Sequence, residues 1–503
     1  MKKEVGLFIG GGSSGGIISN TSRLLLNGIA TTETLGQISF VKGKGLSIEG
    51  ISTSSTLGNL GLHKNLAIEG ITTSDALGGI TFTKTSAIDL IRTYTFTLPT
   101  SSNASWTCAI PSWTETPIAC QLSWVKNSGA GTVNGAINSY GFAAYNGATY
   151  NQSSIRAISE HNSASVDART SHITTRCLYA FGEDTTLNWN GGEGYYSSLE
   201  LTGHDVGEMT FNYRHGSSAN AGGQKIQITM FAADNARSDA FQDSAIFSTT
   251  ENEITTPGFT PELLLGYCGF VNLNNVANNV NQSIGYATGS GASITQACIG
   301  YGEDHNDGAG DPMSSTNDGK WLDATDGGNG QSDSLLEVTE FTANGFSVQA
   351  TTTLSTHTVA YLALDFGGAL SFEVGVGTFP TSTTGDHNEP ASSMGFVPNY
   401  VAASSGWNTS LDTAQTAITG MGSMCWSFAD ATSQCSQTIS SERLSDPTDT
   451  QSEYQEQPFM MDDGAGTLTY DATAIAFGDG VWTWTWNTAT PSTARYFVYW
   501  AGG

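Results

Sequence analysis

Acidic and amide side chains are concentrated in one glycine-rich stretch, residues 303–333. Four of its aspartates, Asp304, Asp307, Asp323 and Asp326, supply the hard oxygen ligands that Ca²⁺ prefers. We name these four residues as calcium candidates, although their spacing fits no EF-hand. A long loop that is either solvated or faces a partner is the alternative interpretation. No other cofactor is predicted.

Other short patterns match known functional motifs, but the sequence around them does not predict the secondary structure or the cleft that those motifs require. Gly10–Gly15 has the spacing of a dinucleotide-binding loop and of a nucleophile elbow, yet no strand-to-helix pattern follows it. We interpret it as an N-terminal arm. His204–Asp205 and Glu160–His161 are candidate acid–base pairs, but nothing in the sequence places either pair in a cleft. The eight histidines show no zinc-binding spacing, and no catalytic residue is predicted.

Some residues bear on carbohydrate chemistry. Trp407 and the alternating Trp482, Trp484 and Trp486 could stack on sugar rings, but the alternation also places at least one face of that strand in a core. A glycan hydrolase needs two carboxylates roughly 5–10 Å apart, a separation that sequence does not reveal. Glu200 and Glu337 recur at equivalent positions of two internal repeats, which favours an architectural role.

Charge and composition disfavour several classes of partner. The 503 residues carry 18 Lys and Arg against 46 Asp and Glu, a net charge of −28. Nucleic acid and anionic lipid both attract cationic side chains, so neither is an expected partner. No apolar run reaches the roughly 18–20 residues that cross a bilayer, and we expect neither a signal peptide nor membrane insertion. Seven cysteines without a CxxC pair indicate buried free thiols, with a Cys108–Cys120 disulfide as the alternative.

The elements that must position these residues are predicted to be strands. Gly, Ser, Thr and Asn are abundant and have low helix propensity, whereas 22 Phe, 17 Tyr and 11 Trp favour strands. Trp482–Trp486 alternates Trp with Thr, which is the period-two pattern of a half-buried strand. Many short strands separated by turn residues indicate antiparallel β-sandwiches of jelly-roll type.

Three tandem segments repeat the same order of strands and turns. Each segment has a proline near its start and closes on an apolar strand; the prolines are Pro117, Pro261 and Pro398. We therefore predict an all-β chain with three β-sandwich modules, over residues 91–240, 241–368 and 369–503. The first copy matches the other two least well.

A smaller repeat occupies the N-terminal region, residues 1–90. Its units, Gly28–Gly36, Gly50–Gly58 and Gly70–Gly78, begin 22 and 20 residues apart. A period this short predicts stacked β-units that bury their apolar faces against each other or against neighbouring chains.

Both repeats resemble structural proteins of tailed bacteriophages. An opening such as Gly395-Phe396-Val397-Pro398, followed by apolar strands and a closing strand such as Val359–Leu364, is similar to a module of virion proteins. Gly28–Gly36 resembles the small repeats of phage tail and fibre proteins, with Leu in place of their Phe. The resemblance implies a virion location, after synthesis in the host cytoplasm. It implies a tail fibre or tail-associated adhesin whose modules bind host-surface glycan.

The same resemblance bears on partners and leaves alternatives open. Residues 1–90 are expected to dock onto other virion proteins, and the chain is expected to form a homo-oligomer, first of all a trimer. Capsid decoration, as in a head-fibre protein, is the alternative within the virion. A tailspike-like glycan hydrolase is the alternative of another class, whereas the leading interpretation is binding without catalysis.

Overall fold

The computed structural model describes most of residues 89–503 and six short strands within residues 1–88. All the regular structure described there is β, which confirms the predicted all-β class. No helix with the length and apolar character of a membrane span occurs among these residues. Residues 1–88 and 89–503 form two compact units, which are described separately. The segments of the second unit outside the description are 128–130, 135, 160–167, 182–195, 216–222, 243–246, 270, 275, 304–312, 327–330, 354–356, 382–383, 391–392, 407, 414, 417–420, 443–449, 463–467 and 490–494.

The N-terminal unit contains two small parallel sheets with one strand of each sheet per repeat. The strands are β1 (Leu24–Asn27), β2 (Ala30–Thr31), β3 (Leu46–Glu49), β4 (Ser52–Thr53), β5 (Ala67–Glu69) and β6 (Thr72–Thr73). Their orders are β1-β3-β5 and β2-β4-β6. Ala30 pairs with Ser52 and Ser52 pairs with Thr72, so the pairing follows the spacing of the sequence repeat. The repeats therefore stack on one another in parallel.

The second unit contains three successive sets of eleven described strands, one set per module. Residues 235–240, predicted above to end the first module, pair with residues 360–365 and are grouped with the second module. The first set comprises β7 (Ile91–Thr97), β8 (Asn103–Ala109), β9 (Ala119–Val125), β10 (Gly131–Asn134), β11 (Ala136–Tyr145), β12 (Tyr150–Ser159), β13 (Arg169–Ile173), β14 (Leu178–Phe181), β15 (Tyr196–Asp205), β16 (Glu208–Arg214) and β17 (Lys225–Phe231). The second comprises β18 (Asn235–Phe241), β19 (Asn252–Ile254), β20 (Leu263–Gly269), β21 (Val276–Asn278), β22 (Val280–Ser290), β23 (Ser293–Glu303), β24 (Met313–Asp318), β25 (Leu322–Asp326), β26 (Gln331–Thr342), β27 (Gly345–Ala350) and β28 (Thr358–Asp365). The third comprises β29 (Phe372–Thr378), β30 (Gly385–Glu389), β31 (Tyr400–Gly406), β32 (Gln415–Thr416), β33 (Met421–Asp430), β34 (Gln434–Glu442), β35 (Thr450–Gln455), β36 (Phe459–Asp462), β37 (Leu468–Phe477), β38 (Trp482–Ala489) and β39 (Tyr496–Gly502).

The three modules build the same pair of antiparallel sheets. The small sheets have the orders β14-β15-β16-β8, β25-β26-β27-β19 and β36-β37-β38-β30. The large sheets share six strands in the orders β13-β12-β11-β9-β17-β7, β24-β23-β22-β20-β28-β18 and β35-β34-β33-β31-β39-β29. Each strand thus corresponds to the strand eleven places later in the chain. The first module, which the sequence matches least well, has the same topology as the other two.

Each large sheet is completed by a strand that another module donates. Strand β21 of the second module pairs with β13 of the first, β32 of the third pairs with β24 of the second, and β10 of the first pairs with β35 of the third. All three donated strands occupy the fourth place in their own set. The exchange therefore closes into a ring of three modules. In every large sheet, it covers one edge that would otherwise present unpaired backbone groups.

Both faces of each large sheet are buried. All seven residues of β9, β20 and β31 are buried. Because successive side chains point to opposite faces, one set packs on the module's own small sheet and the other set packs against the neighbouring large sheets. The side chains of this second set form one central core shared by the three modules, whose aromatic residues include Tyr140, Phe142, Tyr267, Tyr286, Tyr301, Tyr400, Trp426 and Trp500.

Tyr140 of the first module contacts both other modules in this central core. Its ring stacks on Tyr267 of the second module with centroids 4.9 Å apart, and it meets Trp426 of the third edge-on at 6.5 Å. Each such aromatic pair contributes about 0.5–1.5 kcal/mol beyond the area it buries. The Tyr140 hydroxyl accepts a hydrogen bond from Nε2 of Gln121. Burial raises the pKa of this hydroxyl well above its usual range, so it stays neutral.

The hairpins of the small sheets share a β-bulge. In β15–β16, β26–β27 and β37–β38 the pairing skips one threonine: Thr202, Thr339 and Thr473, respectively. Such a bulge bends the strand and increases its local twist. An acidic residue lies two positions before each bulge: Glu200, Glu337 and Asp471. The recurrent carboxylates of the sequence repeat therefore mark a recurrent backbone feature.

Two glycines at equivalent positions of β11 and β22 lie where another backbone segment crosses the large sheet. A Cβ at Gly141 would lie 2.2 Å from the carbonyl oxygen of Cys177, and one at Gly285 would lie 1.5 Å from that of Trp321. The third module has Ser427 at the corresponding position of β33. The close approach is therefore specific to the first two modules.

We expect Gly285→Ala to lower the free energy of unfolding by about 3 kcal/mol, since the added methyl group overlaps the Trp321 carbonyl and forces the two segments apart. Urea denaturation followed by tryptophan fluorescence measures the change. The control is Ser427→Ala at the equivalent site, which should cost about 1 kcal/mol or less. Equal stability losses in the two variants would contradict the packing described here.

We expect residues 89–503 to unfold in one cooperative transition, because without its neighbours each module lacks one strand of its large sheet and leaves the second face of that sheet uncovered. Differential scanning calorimetry of a chain that begins at Asp89 should give a calorimetric enthalpy equal to the van't Hoff enthalpy. Three resolved transitions would show that the modules are independent.

Candidate functional site

Of the four calcium candidates, only Asp323 has its side chain among the described residues. Asp304 and Asp307 lie outside the description, and so does the side chain of Asp326 in β25. Asp323 is buried, where it accepts hydrogen bonds from the Ser315 hydroxyl and, at 3.0 Å, from Nδ2 of Asn317. In the described part of the chain, no three His, Cys, Asp or Glu side chains are grouped as metal ligands.

The acid–base candidates have separate environments. In the His204–Asp205 pair, Nδ1 of His204 is 2.8 Å from the Tyr150 hydroxyl, whereas Asp205 accepts the backbone N–H of Val206 through Oδ1 at 2.7 Å. Glu160–His161 and the glycine run Gly10–Gly15 lie outside the described residues. The structure thus does not show a proton-transfer pair at His204–Asp205.

The tryptophan ladder belongs to a core. Trp482, Trp484 and Trp486 are at most 2% exposed and pack between the two sheets of the third module, so these three rings are not available to stack on a sugar. Trp407 lies outside the description. All seven cysteines are buried free thiols, and Cys108 and Cys120 form no disulfide.

Glu200 and Glu337 occupy equivalent positions and make equivalent ion pairs. Oε2 of Glu200 is 3.1 Å from Nη1 of Arg176, and Oε2 of Glu337 pairs with Nζ of Lys320. Each cation directly precedes the residue whose carbonyl oxygen faces the close-packed glycine of its module. Pairs that are this exposed contribute about 0–1 kcal/mol, which agrees with an architectural role for the repeated pair itself.

Glu200 differs from Glu337 because it also borders a cleft. A cavity of about 260 Å³ lies where the first and second modules meet. The first module contributes Tyr150, Asn151, Gln152, Thr175 and Glu200 to its lining, and the second contributes Ser238 and Asp239. Strand β18 of the second module packs across β11 and β12, which brings these distant parts of the sequence together. The volume is slightly below the usual range of about 300–1,000 Å³ for ligand pockets.

Several polar groups of this cleft are not used by the protein. Oε2 of Glu200 takes the Arg176 ion pair and a 3.4 Å hydrogen bond from Asn212, while Oε1 has no partner among the described residues. Gln152 accepts the backbone N–H of Leu201 through Oε1 at 2.9 Å, which leaves its amide N–H₂ group as a donor. The side chain of Asn151 is hydrogen-bonded through Oδ1, to Asn146 among others, at 2.9 Å. The cleft therefore offers both donors and acceptors.

Ser238 is the most buried polar residue of the lining. Its relative exposure is 0%, and its hydroxyl has no hydrogen-bond partner among the residues that the structure describes. Asp239, next to it, accepts Nη2 of Arg237 at 3.0 Å and the backbone N–H of Ala240 at 2.9 Å. Arg237 also donates through Nη1 to Asn151 at 3.3 Å, a contact between the two modules.

The cleft has one aromatic residue in its lining, and two further rings pack against that residue. Tyr150 lines it, with its ring centroid 5.1 Å from that of Tyr145 and 5.7 Å from that of His204. Tyr145 and His204 are themselves 4.9 Å apart. Burial lowers the pKa of His204, which favours a neutral imidazole beside the Tyr150 hydroxyl. The three rings support one another and hold the Tyr150 side chain in place.

Of these cleft residues, the sequence draws attention only to Glu200, through its recurrence. Asn151, Gln152, Ser238 and Asp239 belong to no motif, and no local pattern connects them. The only available signal is indirect: polar residues in loops and edge strands at which the three copies differ.

A second ionisable pair lies on β30 of the third module. Nε2 of His387 is 2.9 Å from Oε1 of Glu389. Burial raises the pKa of Glu389 to about 8 and lowers that of His387. At neutral pH the pair is therefore mostly a carboxylic acid beside a neutral imidazole.

Neither a family model nor a curated protein matches the chain. Among solved structures, in-vitro folded OmpT, an outer membrane protein of Vibrio cholerae in its trimer form, aligns with 80% of this chain and 99% of its own at 6% identity, with a TM-score of 0.11. The CymD monoaromatic hydrocarbon channel aligns with 78% of this chain and 89% of its own at 9% identity, with a TM-score of 0.08. TM-scores this low carry no argument about fold or function.

We expect the free energy of unfolding to fall as pH rises from 6.5 to 8, in part through Glu389. Its carboxyl group has an ordinary pKa of 4.5 and a folded pKa of about 8, so in this range the folded state retains a proton that the unfolded state has lost. Urea denaturation at several pH values should show a shallower decline for Glu389→Gln, which is neutral throughout. Identical slopes for the two proteins would contradict the assignment.

Proposed function

We propose that this chain is a structural protein of a tailed-bacteriophage virion, and that its three-module ring acts as an adhesin for host-surface glycan at the tail. The observation that carries the glycan-binding role is the polar cleft between the first two modules, which presents unused donors and acceptors together with the aromatic ring of Tyr150. Sugars are recognised by just such combinations of amide, carboxylate and hydroxyl groups with an aromatic ring.

The scaffold suits display and attachment. The shared core and the exchanged strands fix the modules to one another. A ligand that binds at a module junction therefore does not have to order the two modules relative to each other, which would cost free energy. The stacked repeats within residues 1–88 suit docking to other virion proteins, and several copies on one particle would strengthen weak individual contacts. We propose binding without catalysis.

A second candidate is capsid decoration, which the closed ring of three equivalent modules favours. A ring with threefold topology fits a position of threefold symmetry better than a linear array would. Each subunit of the proposed homo-oligomer would then contribute three modules to the assembly.

Purified chain should be retained on immobilised host polysaccharide and should release no reducing ends on prolonged incubation. A heat-denatured sample controls for nonspecific adsorption, and a known glycosidase confirms that the polysaccharide can be cleaved. Release of reducing ends over time would favour the hydrolase alternative. Antibodies against the chain should label the tails of purified particles; labelling spread over the head would favour decoration, and absence of the chain from particles would overturn the virion assignment.

A further inference from the structure

The internal threefold repetition allows one junction of modules to be compared with the other two. At the first junction β18 packs on β11 and β12, at the second β29 packs on β22 and β23, and at the third β7 packs on β33 and β34. The three junctions therefore share the same backbone arrangement. Differences between their side chains show what is special about the first.

The residues equivalent to Ser238 are Thr93 and Val374, as the pairing of the edge strands shows. The Thr93 hydroxyl lies 3.0 Å from that of Thr229, and it also accepts a hydrogen bond from Gln227. Val374 has no hydroxyl. Among these three positions, only Ser238 places a buried hydroxyl without a partner among the described residues. Such an orphan group costs about 1–3 kcal/mol, which a bound ligand would offset by supplying the missing hydrogen bond.

Gln152 gives a second contrast. Its equivalent in the second module, Gln296, both accepts the N–H of Val338 at 2.8 Å and donates to the Val338 carbonyl at 3.1 Å. Both ends of that amide are satisfied by the protein. Gln152 makes only the first of these bonds, to Leu201 at 2.9 Å, among the described residues. Its N–H₂ group is therefore available at the cleft, which Glu200 also lines.

From these contrasts we propose that the cleft between β12, β15 and β18 is a binding site for a neutral, hydroxyl-rich saccharide, with one sugar ring placed against Tyr150. Glu200 Oε1 accepts a sugar hydroxyl, the Gln152 amide donates to another, and the Ser238 hydroxyl gains its missing partner. This site deepens the proposed function and rests on it for the source of the saccharide.

The negative charge of the cleft favours neutral sugars over anionic ones. Glu200 and Asp239 both line it, and the whole chain carries a net charge of −28. Arg176 and Arg237, the nearby cations, are already paired with these two carboxylates. A uronic acid or sialic acid would therefore meet repulsion without a free cation to offset it. The small volume restricts the site to one or two sugar residues at the end of a chain.

The test uses the full chain on an array of neutral and acidic oligosaccharides, followed by calorimetric titration with the best-bound neutral one. Glu200→Ala and Ser238→Val should each weaken its binding about tenfold. Glu337→Ala, which removes the equivalent ion pair outside the cleft, should leave affinity unchanged.

Ser238→Val also separates a binding role from a structural one. Valine occupies the equivalent position in the third module, and the Ser238 hydroxyl makes no bond to lose, so thermal stability should be kept or raised. Thr93→Val, which breaks existing hydrogen bonds, should lower thermal stability but not affinity.

Glycan binding that survives both cleft substitutions, or that prefers acidic sugars, would overturn this site while leaving the proposed adhesin intact. Binding to no oligosaccharide of either kind, in an assay that a known lectin passes, would overturn both.

Discussion

The structure depends on the burial of both faces of three large sheets. An antiparallel sheet commonly has one solvated face, but here apolar clusters cover both faces of the large sheets. One face is covered by the module's own small sheet. The other has no partner within the module, so the three modules must cover it for one another, and Tyr140 shows the result in a single side chain that contacts all three.

Strand exchange follows from the same constraint. Once the large sheets surround a common core, their outer edges lie beside the neighbouring modules, and the short strands β10, β21 and β32 pair there. Each donated strand links two modules, and each of the three modules receives one such strand. The modules are therefore separate in sequence but interdependent in stability, which is unusual for tandem domains joined end to end.

Repetition also shows where function can lie. Features that all three copies share, such as the threonine bulge after Glu200, Glu337 and Asp471, maintain the fold. At the cleft, Ser238 stands where the other two junctions have a hydrogen-bonded threonine or a valine, and Gln152 makes one hydrogen bond where Gln296 of the second module makes two.

The sequence by itself determined the all-β class, the stacking of the short repeats and the recurrence of three modules, because period-two alternation, turn glycines and strand propensity act over a few residues. The Trp482–Trp486 alternation likewise predicted a strand with a core face. Only the tertiary structure decided that all three rings are buried, that the modules form a ring, and that Tyr150, Gln152, Glu200 and Ser238 converge. The donated strands are two to four residues long and carry no pattern of their own. Their pairing, like the cleft, depends on contacts between residues far apart in the chain, which local propensity does not encode.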